Sequence, residues 1–317
     1  MKALKIAVLM GGPSTEREVS LRSGTAVAKA LAAAGAHVMP VDIKDSTFTM
    51  LTNVDMAFIA LHGTFGEDGT LQRMLDKGGI TYTGSGAEAS ARAFDKIAAK
   101  KAFLMAGIPT PKYEVFDRTH TDLTRLAEIG FPLVVKPARQ GSSVGISIVQ
   151  EEEDLEEACR IAWHYDDHLL VEQFITGREL TVGILDGRAL PVIEIRPKHD
   201  FFTYEAKYTK GQTKYLVPAP LDKALESQVK SLALRTHDCL GCRDYSRVDL
   251  MLSGTGEALV LEVNTVPGFT ETSLVPMAAQ AAGIEFPDLC GRLVQLAMMR
   301  RKQRGAPDVA DKETVAV

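Results

Sequence analysis

The stretch Lys5-Ile6-Ala7-Val8-Leu9-Met10-Gly11-Gly12-Pro13-Ser14-Thr15-Glu16-Arg17-Glu18 decides the fold class. Residues 5–10 form a short apolar run stopped by Gly-Gly-Pro, which predicts a buried strand. Thr15-Glu16-Arg17-Glu18 fits a capping box, with Thr15 capping and Glu18 reaching back. Val19, Ala26, Val27, Ala30, Leu31 and Ala34 then fall on one helical face, and Gly35 ends the helix. Further strands are expected at 37–41 and 57–61. Alternating strands and helices predict a parallel, doubly wound α/β sheet. In such a sheet the loops beyond the strands' carboxyl ends carry the site. Here these are Gly11-Gly12-Pro13-Ser14 and His62-Gly63-Thr64-Phe65-Gly66-Glu67-Asp68-Gly69.

Outward from this unit, Thr83-Gly84-Ser85-Gly86 reads as a flexible exit and a helix containing Lys96 follows. Residues 132–137 read as a strand carrying Lys136. It opens onto Gln140-Gly141-Ser142-Ser143-Val144-Gly145 and returns at 146–149 as a hairpin. A helix over 152–163 and a strand at 169–172 complete a small α+β unit. Strands at 179–184 and 190–195, a helix over 223–240, and strands at 247–252 and 258–264 build the last part. A polar stretch, 197–214, lacks periodicity and reads as a lid. A final helix carries Leu289, Leu293, Leu296 and Ala297. The expected division is an N-terminal α/β domain over 1–94, a central subdomain over 95–182, a C-terminal domain over 183–304 and a frayed polar tail from 305.

A chain of 317 residues can bury a core without staples. A net charge of −5 argues against nucleic acid as a partner, which needs a basic face. No segment approaches the ~18 apolar residues of a membrane span. The run after Lys2 and Lys5 is too short for a signal peptide, so the expected location is the cytoplasm. Cys239-Leu-Gly-Cys242 has C-x-x-C spacing but no second ligand pair, so buried thiols at a helix end are the expectation.

Two constellations carry chemistry. The glycine-serine loop with Lys136 beside it suits phosphate oxygens, although a plain hairpin turn reads equally well. Arg247-Val248-Asp249 and Glu262-Val263-Asn264 each put residues i and i+2 on one strand face. If the strands pair, three oxygen ligands and one guanidinium converge, a donor set that suits Mg²⁺, against a surface salt bridge as the alternative. Val266-Pro267-Gly268-Phe269-Thr270 follows at once and can offer N–H donors to an oxyanion, against a simple type II turn.

Taken together these blocks resemble the D-alanine–D-alanine ligase family, from about residue 5 to residue 300. The matching blocks are Gly11–Ser20, Leu61-His62-Gly63 with Gly66–Gly69, Tyr82–Gly86, Lys136-Pro137 with Gly141–Gly145, Tyr204–Tyr208, and Glu262–Thr270. The resemblance implies an ATP-grasp fold: an N-terminal parallel-sheet domain, a small central α+β domain and a C-terminal α+β domain. It implies ATP as cosubstrate, two Mg²⁺ ions or Mn²⁺ in their place, D-alanine as substrate and a homodimer. Lys96 and Lys136, with Ser143 of the loop, would contact ATP phosphates, and Lys207 the transferring phosphate. Glu172 and Glu179 would hold the adenine and ribose end, and Asp249, Glu262 and Asn264 the metal ions. Arg247 and the Gly268 amide would stabilise the tetrahedral intermediate. Glu16 and His62 would sit at the first D-alanine, and Ser273 and Leu274 at the second. Glu16, Ser142 and Tyr208 would close the lid. The chain departs from the family in carrying Gln173 where lysine is frequent. Other readings are a different ATP-grasp ligase such as one making the D-lactate ester, a non-enzymatic nucleotide-binding regulator, and a Rossmann oxidoreductase suggested by Gly11-Gly12 and Asp42.

Overall fold

A computed structural model of the chain describes residues 4–46, 51–119, 123–197 and 213–303. The first sheet contains β1 (Lys5–Gly11), β2 (His37–Ile43), β3 (Met56–Ile59) and β4 (Thr81–Tyr82) in the order β2-β1-β3-β4, every pair parallel. Helix α1 (Arg17–Ala33) follows β1, and α2 (Thr70–Lys77) and α3 (Ala87–Phe94) flank β4. The order reverses between β1 and β3, so the loops after these strands meet at the switch point. Ser14 Oγ on the first loop donates to the His62 carbonyl on the second, at 2.7 Å.

The capping box does not form. Helix α1 starts at Arg17, Glu16 is its cap residue, and no side chain caps it. Ser14 satisfies the entry instead: its hydroxyl accepts the Glu16 N–H at 3.2 Å and its carbonyl accepts the Arg17 N–H at 3.2 Å. This frees the Glu16 side chain to face the cleft.

The second sheet is antiparallel, with β5 (Tyr113–Asp117), β6 (Leu133–Pro137), β7 (Ser147–Val149) and β8 (His168–Gln173) in the order β5-β8-β6-β7. Strands β6 and β7 form the expected hairpin. Helix α4 (Lys96–Met105) precedes the sheet, and α5 (Leu155–Ala162) packs against β6 and β7.

The third sheet is also antiparallel: β9 (Gly177–Leu185), β11 (Ile193–Pro197), β12 (Thr213–Leu216), β13 (Tyr245–Ser253) and β14 (Ala258–Asn264) in the order β12-β11-β9-β13-β14, with β10 (Arg188–Ala189) on β9. The strand expected at 190–195 is interrupted. Pro191 has no N–H to give the ladder, and pairing resumes only at Ile193. Helices α6 (Lys223–Cys239), α7 (Leu274–Ala281) and α8 (Phe286–Gln303) complete the fold.

One core spans distant sequence. Ile6, Val8 and Phe58 of the first sheet pack in one cluster with Leu289, Leu293 and Val294 of α8 and with Tyr245 and Phe269. The Phe269 ring sits 5.8 Å from Phe58 and 5.7 Å from Tyr245, centroid to centroid. Arg300 ties the same regions by polar bonds, pairing with Asp244 and donating to the Tyr82 carbonyl at 2.7 Å. Cys239 and Cys242 are free thiols where α6 ends, and burial pushes them up to about 11 and about 12. Among the described residues no helix is long and apolar enough to cross a membrane.

Candidate functional site

Strand pairing brings the acidic cluster together. In the β13–β14 ladder Arg247 stands opposite Asn264 and Asp249 opposite Glu262, and the register then shifts at a bulge. The Arg247 guanidinium donates to Asp249 through Nε at 2.9 Å and Nη2 at 2.7 Å. Thr181 Oγ1 on β9 and Asn264 Nδ2 also donate to Asp249, at 2.6 and 3.0 Å. Lys96 Nζ lies 3.4 Å from Glu262 and donates to the Gln140 carbonyl at 2.6 Å. Each carboxylate is therefore met by a protein cation, which is the electrostatic demand that a bound dication also satisfies. Among the described residues no group of three or more His, Cys, Asp or Glu forms a complete metal cage. Two carboxylates and an amide fit Mg²⁺ in the other common way, with phosphate oxygens completing the shell.

The lysines form a second cluster. Glu172 on β8 is buried between Lys136 on β6 and Lys100 on α4, with Lys100 Nζ at 2.5 Å. Burial works to raise Glu172, but the two lysine charges and their hydrogen bonds overcome it and hold the carboxyl below its usual range. Burial brings Lys100 down to about 8, against the pull of Glu172. With all three charged, the cluster carries one surplus positive charge, which suits an anionic ligand.

That charge faces a cavity of about 700 Å³ lined by Lys96, Lys136, Ser143, Glu172 and Glu179 along its polar wall and by Met251 and Leu261 among its apolar residues. This is the size of a small-molecule pocket, and its lysines suit an anionic ligand. A smaller cavity of about 220 Å³ adjoins it, lined by Glu16, His62, Arg247, Gly268, Ser273 and Leu274. Gly141, Ser142, Glu179, Asp249 and Glu262 line both. The glycine-serine loop reaches across: Ser142 Oγ donates to Glu16, and a Cβ on Gly141 would lie 2.6 Å from Glu16 Oε2. Ser142 and Ser143 both adopt left-handed φ, +50° and +60°. Each such residue costs on the order of 1–3 kcal/mol, so the loop is held in this shape by its surroundings.

The turn 266–269 is fastened on each side of Gly268. Glu67 accepts the Val266 N–H at 3.2 Å and the Gly63 N–H at 2.9 Å. His62 Nδ1 bonds the Val266 carbonyl at 2.8 Å, and Ser23 Oγ accepts the Phe269 N–H at 3.1 Å. The Gly268 amide has no partner among the described residues. Gly268 does not take the positive φ that a type II turn demands at its third residue, so that simple reading fails. Ser273 is the cap residue of α7, where unpaired helix N–H groups suit a carboxylate.

Burial pushes Glu67 up to about 8, with Glu16 adding to it and the two N–H bonds opposing. The folded state then keeps a proton that the unfolded chain loses near 4.5, so this stabilisation fades as pH rises from about 4.5 to 8. Glu67→Gln removes the titration. Urea midpoints at pH 5 and pH 8 should show the wild type losing on the order of a few kcal/mol more than the variant across that interval.

Every expected residue within the described residues lines one of the two cavities. Lys207 and Tyr208 lie outside the described residues. Sequence reasoning did not single out Lys100, Glu67, Thr181 or Ser23. Asp42, which suggested a dinucleotide, is taken by Arg17 through two N–H groups at 2.8 Å each.

Known proteins resemble this chain along most of its length. A family model described as D-ala D-ala ligase C-terminus matches residues 103–295, and its N-terminus counterpart matches 5–51 and 44–85. The D-alanine–D-alanine ligase of Syntrophotalea carbinolica is 50% identical over 299 residues, covering 94% of this chain and 97% of the relative. The crystal structure of the Bacillus anthracis D-alanine–D-alanine ligase complexed with ATP superposes with a TM-score of 0.87 at 33% identity, covering 96% of this chain and 100% of the other. The VanG D-Ala:D-Ser ligase of Enterococcus faecalis superposes with a TM-score of 0.83 at 32% identity, covering 93% and 99%.

Proposed function

This chain belongs to the D-alanine–D-alanine ligase family, and on that premise we propose that its paired cavities join two D-alanine molecules at the expense of ATP, making D-alanyl-D-alanine for peptidoglycan precursors. The fold is the ATP-grasp fold, and the protein is an ATP-dependent ligase. The observation that carries the reading is the common wall of Gly141, Ser142, Glu179, Asp249 and Glu262, which lets a phosphoryl group pass from the larger cavity to a carboxylate in the smaller.

A carboxylate is a poor acyl donor because oxide would have to leave. An oxygen of the first D-alanine carboxylate attacks the γ-phosphorus, the bridging P–O bond breaks towards ADP, and D-alanyl phosphate forms. The amine of the second D-alanine, having lost a proton, attacks the acyl carbon, and the tetrahedral intermediate collapses by expelling phosphate. Lys96 and Lys136, with Ser143 and Lys207, hold the phosphates, while Glu172 and Glu179 hold the adenine and ribose end. Asp249, Glu262 and Asn264 would hold two Mg²⁺ ions, with Mn²⁺ a substitute. Bound there, the metal neutralises charge on the transferring group. Arg247 and the Gly268 N–H face the developing oxyanion. Glu16 and His62 frame the first D-alanine, and Ser273 and Leu274 receive the carboxylate of the second. Glu16, Ser142 and Tyr208 close the site against water, which would hydrolyse the acyl phosphate.

The same reading includes a homodimer, a cytoplasmic location, and a division into 1–94, 95–182 and 183–304 with a tail beyond. The expected result is that purified protein with ATP, Mg²⁺ and D-alanine releases one phosphate per dipeptide. Phosphate release with D-serine or D-lactate but not with D-alanine as acceptor would overturn the substrate.

A further inference from the structure

We propose that Ser23 is a positioning residue, whose hydroxyl keeps the Nε2 of His62 bare and hydrogen-bonded and anchors the turn that presents the Gly268 amide. Ser23 lies on α1, wholly buried, and lines neither cavity. Its Oγ is 3.1 Å from His62 Nε2 and 3.1 Å from the Phe269 nitrogen.

The proton positions follow from valence. The Val266 carbonyl can only accept, so the His62 Nδ1 that meets it at 2.8 Å carries a proton. The Phe269 amide can only donate, so Ser23 Oγ accepts it. The Ser23 hydroxyl proton then has one acceptor on its other side, the bare Nε2 of a neutral imidazole. A doubly protonated ring would leave that hydroxyl proton without a partner in a dry interior, at a cost of about 1–3 kcal/mol. Burial acts in the same direction and holds His62 below its usual range, against Glu16 and the Val266 bond.

The consequence concerns both ends of the network. Both ring nitrogens of His62 are spent on protein partners, so the ring supports the cleft wall as a fixed neutral strut. Phe269 immediately follows Gly268, and its amide is pinned to a rigid helix. An oxyanion donor needs to sit within roughly 2.7–3.1 Å of its target, so a small drift of this turn is felt in the chemistry. Val266 is fastened by Glu67 and His62 and Phe269 by Ser23, which leaves the Gly268 N–H free yet immobile.

This inference rests on the ligase reading for its kinetic arm only. Histidine-selective ¹⁵N labelling reads the tautomer with no substrate, the His62 signals being those lost in His62→Gln. The expected wild-type spectrum at neutral pH has a protonated, pyrrole-type Nδ1 and a bare, pyridine-type Nε2. In Ser23→Ala the Val266 carbonyl still holds the Nδ1 proton, so the expected change is at Nε2, whose signal should move because its donor is gone and whose protonation should begin at higher pH. The kcat for dipeptide formation should fall roughly tenfold to a hundredfold, the scale of a misplaced catalytic group, while the KM for ATP stays unchanged. A wild-type ring protonated on Nε2, or a folded Ser23→Ala protein with wild-type spectrum and kcat, overturns the proposal. Should Ser23→Ala fail to fold, Ser23→Cys, whose thiol is a weak donor and acceptor, is read by the same spectrum and kcat with the same expected direction. A correct tautomer in a protein inactive on D-alanine would count against the ligase reading and leave the positioning role standing.

Discussion

Glu262→Gln is expected to lower D-alanyl-D-alanine formation by on the order of 10³-fold, since a metal-held phosphoryl group draws several kcal/mol of charge stabilisation and each 1.36 kcal/mol is tenfold. Glu262 stands opposite Asp249 and lines both cavities, so on the proposed reading its charge acts on both nucleotide and acceptor. The amide keeps shape and one oxygen but removes the charge that Lys96 and a dication meet in turn. Mn²⁺ titration followed by electron paramagnetic resonance, with ATP present, should show weakened metal binding alongside the lost turnover. Wild-type turnover, or lost turnover with unchanged Mn²⁺ affinity, would contradict the metal assignment. Circular dichroism should be unchanged, because the Glu262 side chain is partly exposed and its strand stays paired.

Glu172→Gln is expected to act on stability first. The carboxylate answers two buried lysines, and removing one partner of a buried ion pair costs about 3–5 kcal/mol. At roughly 2–4 °C per kcal/mol for a protein of this size class, the melting temperature should fall by about 10 °C. Lys100 makes the loss depend on pH. Burial already brings it down to about 8 from 10.5. Over that interval the unfolded chain binds a proton that the folded chain has released, so stability rises with pH. Without Glu172 the release begins at lower pH, and the variant should recover more stability than the wild type on going from pH 7 to pH 9. Equal pH profiles for the two proteins would show that the pair is not the controlling contact. ATP should also bind more weakly, since Lys136 loses the carboxylate that orients it.

Local periodicity made part of the site legible in the sequence, and the family resemblance supplied Glu16, His62, Glu172, Glu179 and Ser273. Two-residue spacing put Arg247 with Asp249 and Glu262 with Asn264, and ladder pairing did the rest. The Gly-Gly-Pro stop after β1 and the Lys136 hairpin were legible for the same reason. What escaped depends on contacts between distant segments. Lys100 sits in Ala98-Ala99-Lys100-Lys101-Ala102, which reads as a solvated helical face; Glu172 from β8, Thr110 and the Val260 carbonyl converge to bury it. Glu67 looks like a loop acid until Val266 closes over it. Ser23 is an unremarkable helical serine until Phe269 and His62 converge on it. The capping box misled because the helix begins one residue later, with Glu16 as its cap, while Ser14 takes the Glu16 and Arg17 N–H groups and ties down the His62 loop.

The core shared by the first sheet and α8 has a consequence for how the protein is made. Strands β1 and β3 are made more than 200 residues before α8, and the apolar face of Ile6, Val8 and Phe58, covered in part by Val27 and Leu31 of α1, is completed when Leu289, Leu293 and Val294 arrive. Translation at ~5–20 residues per second leaves that cover incomplete for many seconds. During that time part of the first sheet's apolar face stays uncovered, which exposes the nascent chain to aggregation. The arrival of α8 is then the step that completes this cover.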